Sequence, residues 1–352
     1  MPETLLTLPE LGWSHFFQQQ LSLEEWETTQ PFRVFALNRH LIDGVGTGGR
    51  RQLTLPHAWL RYSIEDLPTV GDWLLVDGNG LPQRLLERKS LFKRMASGRE
   101  TKVQLMAANV DTLFIVSSCN QEFNLSRLER YLALALDAGV EPVIVLTKAD
   151  LVDETDAFCT QAKILHPDLA IVVVNAKDVG VIEMLSPWCS MGQTIALVGS
   201  SGVGKSTLVN TLSSAEVQET GDTRESDAKG RHTTTSRSLH ILPGGGLLLD
   251  SPGLRELQLS DCLTGVATLF EEIESIARHC RFNNCRHQGD IGCAVTAAAE
   301  RNELDPRRLE NYLKLRLEQE RTAETLVEKH RKDKNFGKMS KRVMEQKRRE
   351  RS

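Results

Sequence analysis

The chain has 352 residues, 40% of them hydrophobic, with 43 Lys and Arg against 47 Asp and Glu and a formal net charge of -4. That length exceeds one ordinary core and fits two or three domains, and the hydrophobic share excludes a wholly disordered chain. No apolar run nears the roughly 20 residues of a membrane span, and the start MPETLLTLPELGWSHFF lacks a basic n-region and cleavage site, so a cytoplasmic protein with no membrane partner is expected.

Residues 1–30 mix acidic and aromatic side chains and read as a short leader with one helix. Over 31–95, the runs FRVFAL, RQLTL, DWLLVD and QRLLERK are strand-like and separated by Gly, Asp and Pro. They predict a small barrel. Five-stranded oligonucleotide-binding barrels have this size, and so do other barrels. From about 105 the rhythm becomes strand, helix, strand: VDTLFIVSS, then NLSRLERYLALALDAG, PVIVLTKAD, AIVVVNAKD, TIALVGSSGVGKSTLVNTLS and GLLLDSPG. This alternation over 105–260 predicts a mostly parallel sheet covered by helices. Residues 261–320 read as helical with a cysteine-rich interruption. The segment 321–352 is polar, and residues 331–352 carry ten Lys and Arg against three Asp and Glu. This tail is expected to be partly disordered without a partner. It is either a basic footprint for nucleic acid or a solvated, frayed helix.

The segment Gly199, Ser200, Ser201, Gly202, Val203, Gly204, Lys205, Ser206 satisfies the phosphate-loop pattern. Its glycines let backbone N–H groups turn toward phosphate oxygens. Lys205 supplies a point charge at the β- and γ-phosphates, and Ser206 can ligate Mg²⁺. The helix opening at Thr207 aims its positive end at the anion. IALV before it reads as a strand and STLVNTLS after it as a helix.

Two further segments select the base. Thr147, Lys148 and Asp150 follow a buried strand and resemble the Asn-Lys-x-Asp motif of GTPases. The Asp150 carboxylate could accept both N–H groups of the guanine edge, and Lys148 can lie along the ring. Thr147 replaces the usual Asn; a hydroxyl can still tie loops together, with fewer contacts than an amide. Asn175, Ala176 and Lys177 follow a second buried strand and resemble the Ser-Ala-Lys loop, where the Ala176 N–H would meet guanine O6.

Asp250 and Gly253 of DSPG suit Mg²⁺ binding and γ-phosphate sensing. Between them and the phosphate loop lies GRHTTT, in which Thr234, or Thr233, could complete the magnesium shell. The polar stretch before it is expected to be mobile until ordered by nucleotide or partner. Leu254 stands where many GTPases place the water-orienting Gln. His232 is the nearest residue able to act on water, and it could equally bind RNA or be idle. The order of motifs is itself informative. The base-specificity loops precede the phosphate loop, so the site is reached through a circular permutation. The last of its motifs then runs directly into the cysteine-rich segment.

Four of the seven cysteines, Cys119, Cys159, Cys189 and Cys262, are scattered, and three cluster. Cys280-x4-Cys285-x-His287-x5-Cys293 offers three thiolates and an imidazole, a complete tetrahedral set for a structural Zn²⁺.

Motif order, GSSGVGKST, KGRHTTT, DSPG and the Cys-Cys-His-Cys spacing together resemble the ribosome small subunit-dependent GTPase A family, of the circularly permuted YjeQ type, over about residues 31–320. The resemblance implies an oligonucleotide-binding barrel at 31–95, a GTPase domain at 105–260 and a zinc-binding helical domain at 261–320. It implies late maturation of the small ribosomal subunit as the task and that subunit, with its 16S rRNA, as the partner. It also implies GTP as substrate with Mg²⁺, one structural zinc, and His232 as the hydrolytic histidine. A monomer without a DNA partner is expected. Val70-Gly71-Asp72-Trp73 and Arg88, Lys89, Lys93 and Arg94 resemble family features, and these four basic residues are candidate RNA contacts. Two rivals remain: an RNA-binding module using GTP as a clamp with little hydrolysis, and an ATPase of the transport or recombination type. TKAD and NAK argue against the second.

Overall fold

The computed structural model describes residues 6–38, 40–95, 103–213, 237–250 and 262–321. The chain forms two compact units, one of Met1–Met95 with Lys102–Gln258, the other of Ala96–Thr101 with Leu259–Ser352.

The leader contains two short helices rather than one, α1 (His15–Gln18) and α2 (Leu23–Thr28). A capping box starts α2: Ser22 accepts from the Glu25 amide and Glu25 accepts from the Ser22 amide. Five antiparallel strands follow: β1 (Thr29–Asn38), β2 (Leu41–Gly46), β3 (Gly49–Thr54), β4 (Trp73–Asp77) and β5 (Pro82–Leu85). They are ordered β3-β2-β1-β4-β5, and no ladder joins β3 to β5 among the described residues. LIDGVG of β2 carries two glycines and hid its strand character. Phe32, Val34, Ile42, Leu53, Trp59, Leu74 and Val76 form the core of this layer.

β6 (Leu91–Met95) and β7 (Val103–Ala108) make a separate hairpin. Chain alternation then produces β8 (Thr112–Ser118), α3 (Leu125–Ala138), β9 (Glu141–Thr147), α4 (Asp156–Lys163), β10 (Ala170–Val173), α5 (Val181–Leu185), β11 (Thr194–Val198) and α6 (Lys205–Ser213). Two more strands, β12 (Ser238–Ile241) and β13 (Leu247–Asp250), complete the sheet. α3 shows why such segments are helical. Asn124 caps its N-terminus through the Arg127 amide, and Gly139 stops it in the left-handed region at φ 69°. Leu128, Leu132 and Ala135 share the buried face, and each buried Leu contributes about 1.5–3 kcal/mol.

The sheet order is β10-β9-β8-β11-β13-β12-β1 and onward, with β8 to β11, β13 and β10 parallel and β12 antiparallel to β13. Over 105–260 the sheet is mostly parallel, as expected, and the antiparallel β12 and the barrel strands make the whole sheet mixed. β1 pairs with β12 at Ala36 and Ser238, so the barrel strands and the phosphate-loop sheet form one continuous eleven-stranded sheet. A buried arginine reinforces the junction. Arg33 is 1% exposed, lies over the Trp73 ring, and donates to Leu11 O at 3.4 Å, Asn109 O at 3.1 Å and Thr194 Oγ1 at 3.1 Å. Burial pulls its pKa down to about 10, and Asp111 and Asp72 oppose that shift.

The second unit holds α7 (Leu263–Leu269), α8 (Glu271–Ala277), α9 (Ala294–Glu300) and α10, residues 306–321. Arg308 of α10 pairs with Glu272 at 2.5 Å, and the Tyr312 hydroxyl donates to Glu274 at 2.7 Å, docking α10 on α8. No helix among the described residues is long and apolar enough to cross a membrane.

Candidate functional site

The phosphate loop leaves the C-terminal end of β11 and enters α6, the edge where parallel α/β sheets present ligand sites. Gly199, Gly202 and Gly204 have φ of 147°, 76° and 96°. At Gly199 a Cβ would lie 2.2 Å from Val116 O, so only glycine lets the loop pass against β8. Lys205 is 8% exposed, and its Nζ donates to Gly199 O at 2.8 Å and to Ser200 O. The ammonium thus lies across the mouth of its own loop. Val203 is buried in the sheet core, while Ser206 and Thr207 are half-buried on the first turn of α6.

Thr147 ends β9 fully buried, and its hydroxyl proton is shared between Ser117 O at 3.1 Å and Val203 O of the phosphate loop. The tie expected of this hydroxyl is therefore made, across a sequence separation of 56 residues. Lys148 follows in the left-handed region at φ 58°, and Asp150 is exposed. The Ala149 amide donates to Val174 O at 3.4 Å, joining this loop to the one after β10. There Ala176 is buried, Lys177 is exposed, and the Lys177 amide donates to Asn175 Oδ1 at 3.1 Å. The Thr211 hydroxyl of α6 donates to Ala176 O at 2.7 Å. Phosphate loop, Thr147–Asp150 and Asn175–Lys177 therefore meet at one end of the sheet. Asp250 terminates β13, two strands along from β8 across β11. His232, Thr233, Thr234, Gly253 and Leu254 lie outside the described residues.

Two side chains at this site escaped the sequence reading. The Arg127 guanidinium, on the first turn of α3, donates to the Ser200 hydroxyl and faces Glu122 at 3.7 Å. Thr211 has the role just given. Neither carries a motif, and both are set by helix placement.

In the second unit, Cys280, Cys285, His287 and Cys293 bring their ligand atoms within 4.8 Å of one another. Zinc–sulfur and zinc–nitrogen bonds of about 2.3 and 2.0 Å in a tetrahedron require edges of about 3.5–3.8 Å. Cys280 Sγ to His287 Nδ1 is 3.6 Å, His287 Nδ1 to Cys293 Sγ is 3.4 Å, and Cys280 Sγ to Cys293 Sγ is 4.0 Å. The donor set fits that ion with Nδ1 as the histidine ligand. His287 adopts φ 59° and is 5% exposed, a conformation tolerated where surrounding structure fixes the side chain. Cys293 also caps α9, accepting from the Thr296 amide at 3.3 Å and the Thr296 hydroxyl at 3.2 Å. Burial would raise its thiol pKa, yet these donors and the neighbouring ligands hold it down to about 6. Asp290 accepts from the Arg286 amide at 3.0 Å and faces Cys285 at 3.5 Å, bracing the loop from outside. His279, adjacent to Cys280 in the chain, lies outside this donor set, its Nδ1 3.1 Å from Ser275 O.

The basic residues of the barrel read differently in three dimensions. Arg88 donates to both carboxylate oxygens of fully buried Asp72 at 2.8 Å. Lys93 pairs with Glu65 at 3.1 Å, Arg94 donates to Gln104 at 3.1 Å, and Lys89 faces Asp111 at 3.8 Å while lying over Phe17. All four expected RNA contacts have partners within the chain. Gly71 of the same family-like run has φ 91°, and a Cβ there would lie 2.0 Å from Ala108 O. That run turns into β4 and packs against the end of β7, where the Ala108 amide donates to Val70 O at 2.9 Å.

The RsgA GTPase family profile matches residues 85–260, and an ABC transporter profile matches residues 183–341, which include the phosphate loop common to many nucleotide-binding folds. Small ribosomal subunit biogenesis GTPase RsgA 2 of Vibrio vulnificus is 50% identical over 341 residues, spanning 97% of this chain and 96% of that one. Small ribosomal subunit biogenesis GTPase RsgA of Mesorhizobium japonicum is 49% identical over 314 residues, 88% of this chain and 89% of its own. Among solved structures, YjeQ from Thermotoga maritima superposes with a TM-score of 0.61 at 25% identity, over 83% of this chain and 98% of that one. YloQ, a circularly permuted GTPase, superposes with a TM-score of 0.57 at 19% identity, over 83% and 95% of the two chains, and supports the fold alone.

Proposed function

This chain belongs to the RsgA family of circularly permuted GTPases, and we propose that it hydrolyses GTP on the small ribosomal subunit and assists that subunit's late maturation. The observation that carries the reading is the convergence of phosphate loop, Thr147–Asp150 and Asn175–Lys177, held by the Thr147 and Thr211 hydroxyls. A phosphate loop alone would serve any nucleotide. The two added loops supply what guanine needs: an exposed carboxylate at Asp150 for its two edge N–H groups, and the Ala176 N–H for O6.

In this reading β1 to β5 form an oligonucleotide-binding barrel over 31–95, residues 105–260 the GTPase domain and 261–320 the zinc-binding helical domain. The strand order β3-β2-β1-β4-β5 supports the first assignment. Gly199 to Thr207 cradle the phosphates, with Lys205 moving from its loop carbonyls to the β- and γ-phosphate oxygens. Lys148 covers the base. Ser206, Asp250 and Thr234 would hold Mg²⁺, which when bound neutralises charge that develops on the phosphates. His232 orients the attacking water. Cys280, Cys285, His287 and Cys293 would hold a Zn²⁺ that clamps the knuckle and takes no part in hydrolysis. The protein acts as a cytoplasmic monomer on the 16S rRNA of the subunit.

Leu254 favours a second reading, a GTP-dependent clamp that rarely hydrolyses, because a leucine can neither orient nor deprotonate water. Multiple-turnover hydrolysis of GTP and ATP, with small or large subunits added, separates the two. Stimulation of GTP hydrolysis by small subunits alone is expected. Tight GTP binding with no turnover under any condition would establish the clamp. Equal use of ATP would overturn the base assignment.

A further inference from the structure

Of the four basic residues expected to contact RNA, Arg88, Lys89 and Lys93 face carboxylates and Arg94 donates to Gln104, but the second unit holds guanidiniums without such partners. Arg278 at the end of α8 and Arg286 between two zinc-site residues have no side-chain hydrogen bond or ion pair among the described residues. The side-chain amides of Asn283, Asn284 and Gln288 are likewise without partners there. All five line one cleft of about 550 Å³ between the knuckle loop and α10. That size is in the range of sites that hold small organic groups, about 300–1,000 Å³. Phe282 lines the same cleft and is 51% exposed, with Arg281 over its ring at 5.4 Å. The acids on the rim are Glu274, engaged by the Tyr312 hydroxyl at 2.7 Å, and Glu320.

Phe282 thus stands half-exposed beside guanidiniums and amides without partners among the described residues. Each feature has a use in one ligand class. An aromatic face stacks a base, guanidiniums hold phosphate, and amides donate to and accept from base edges. Bases inside a duplex are covered by their neighbours and cannot reach a ring in a cleft, so the base must be unpaired. We propose that this cleft binds an unpaired RNA nucleotide, its base stacked on Phe282 and its phosphate held by Arg278 and Arg286. The proposal rests on the reading of an RNA-containing partner given above and assigns which surface touches it. Because Cys285 and His287 carry the same loop, the zinc clamp would fix the wall on which Phe282 and Arg286 stand.

The test is fluorescence anisotropy with the full-length, zinc-loaded protein and a labelled six-nucleotide RNA, single-stranded or annealed to its complement. Single-stranded RNA is expected to bind more tightly than the duplex. Phe282→Ala should weaken it about ten-fold, Phe282→Trp should not, and Arg286→Gln should reduce both affinity and its salt dependence. Zinc content measured on each variant shows that the knuckle is intact. No binding by the intact protein, or equal binding by zinc-replete Phe282→Ala, would overturn the proposal. So would polyglutamate competing as well as RNA, which would mean an acidic-peptide surface. Small-subunit stimulation of GTP hydrolysis is measured on the same preparations. Stimulation with no effect of Phe282→Ala on RNA sinks only the nucleotide site, and selective RNA binding without stimulation sinks only the proposed function.

Discussion

Replacing Thr147 with Val tests the construction of the nucleotide site at one atom. The substitution keeps side-chain shape and burial and removes one hydroxyl. Val203 O and Ser117 O then lose the donor they share in a fully buried position. A lost hydrogen bond costs about 0.5–1.5 kcal/mol, and leaving a buried acceptor unsatisfied costs about 1–3 kcal/mol. Ser117 O and Val203 O each keep a second lone pair for other donors, so a destabilisation of about 1–2 kcal/mol is expected. For a unit of this size that is a fall in Tm of roughly 2–4 °C. The bond joins two segments of the protein itself, so its loss is read in thermal unfolding measured without added nucleotide. GDP affinity, read from a fluorescent analogue, should fall by up to about ten-fold because binding must then order the phosphate loop. Thr147→Asn has nearly the same volume and can restore a donor, so its Tm and affinity should stay close to the parent protein. A Val variant with unchanged Tm and unchanged GDP affinity would refute the idea that this hydroxyl ties the base loop to the phosphate loop.

Arg88→Ala leaves the buried Asp72 carboxylate unpaired and should cost about 3–5 kcal/mol, whereas Lys93→Ala, at a half-exposed pair, should change stability by less than about 1 kcal/mol; denaturant titration distinguishes them, and equal effects would contradict the structural role of Arg88. Elemental analysis should find one zinc per chain, lost in Cys280→Ser, with the helical signal of the second unit reduced and GDP binding by the first unit retained; full zinc occupancy in that variant would exclude the ligand set. The Asp77 carboxylate accepts from the Leu81 and Asn79 amides and from Gln83, which hold its pKa below its ordinary 3.8. Its stabilising contribution is therefore present above that value and lost as pH falls through the lower, folded value. The acid limb of a Tm-against-pH curve should be shallower in Asp77→Asn, and an unchanged limb would assign acid sensitivity to other carboxylates.

Chemistry with strict spacing was legible in the chain. The phosphate loop needs glycines and a lysine at fixed offsets because backbone geometry dictates them, and a tetrahedral ion needs four donors that a short loop can wrap. Both patterns were read from spacing alone, and the structure brings the four donors Cys280, Cys285, His287 and Cys293 within 4.8 Å of one another. β2 was missed because a six-residue strand with two glycines has little periodicity to detect. The leader's second helix was missed because α2 buries no residue and so carries no apolar stripe.

The sequence by itself determined which local chemistry is available: a cradle for phosphate, two loops with groups suited to guanine, four metal donors, and their permuted order. Those follow from residue type and short-range spacing. Partnership was decided by the tertiary structure. Arg88 reads as a candidate RNA contact in the chain and pairs with Asp72 in the fold, while Arg278 and Arg286 have no side-chain partner among the described residues. Thr147 meets Val203, Arg127 meets Ser200 and β1 joins β12 only because strands far apart in the chain become neighbours in one sheet. A charge or hydroxyl advertises its capacity in sequence, but what it pairs with depends on which backbone the fold brings within about 3 Å.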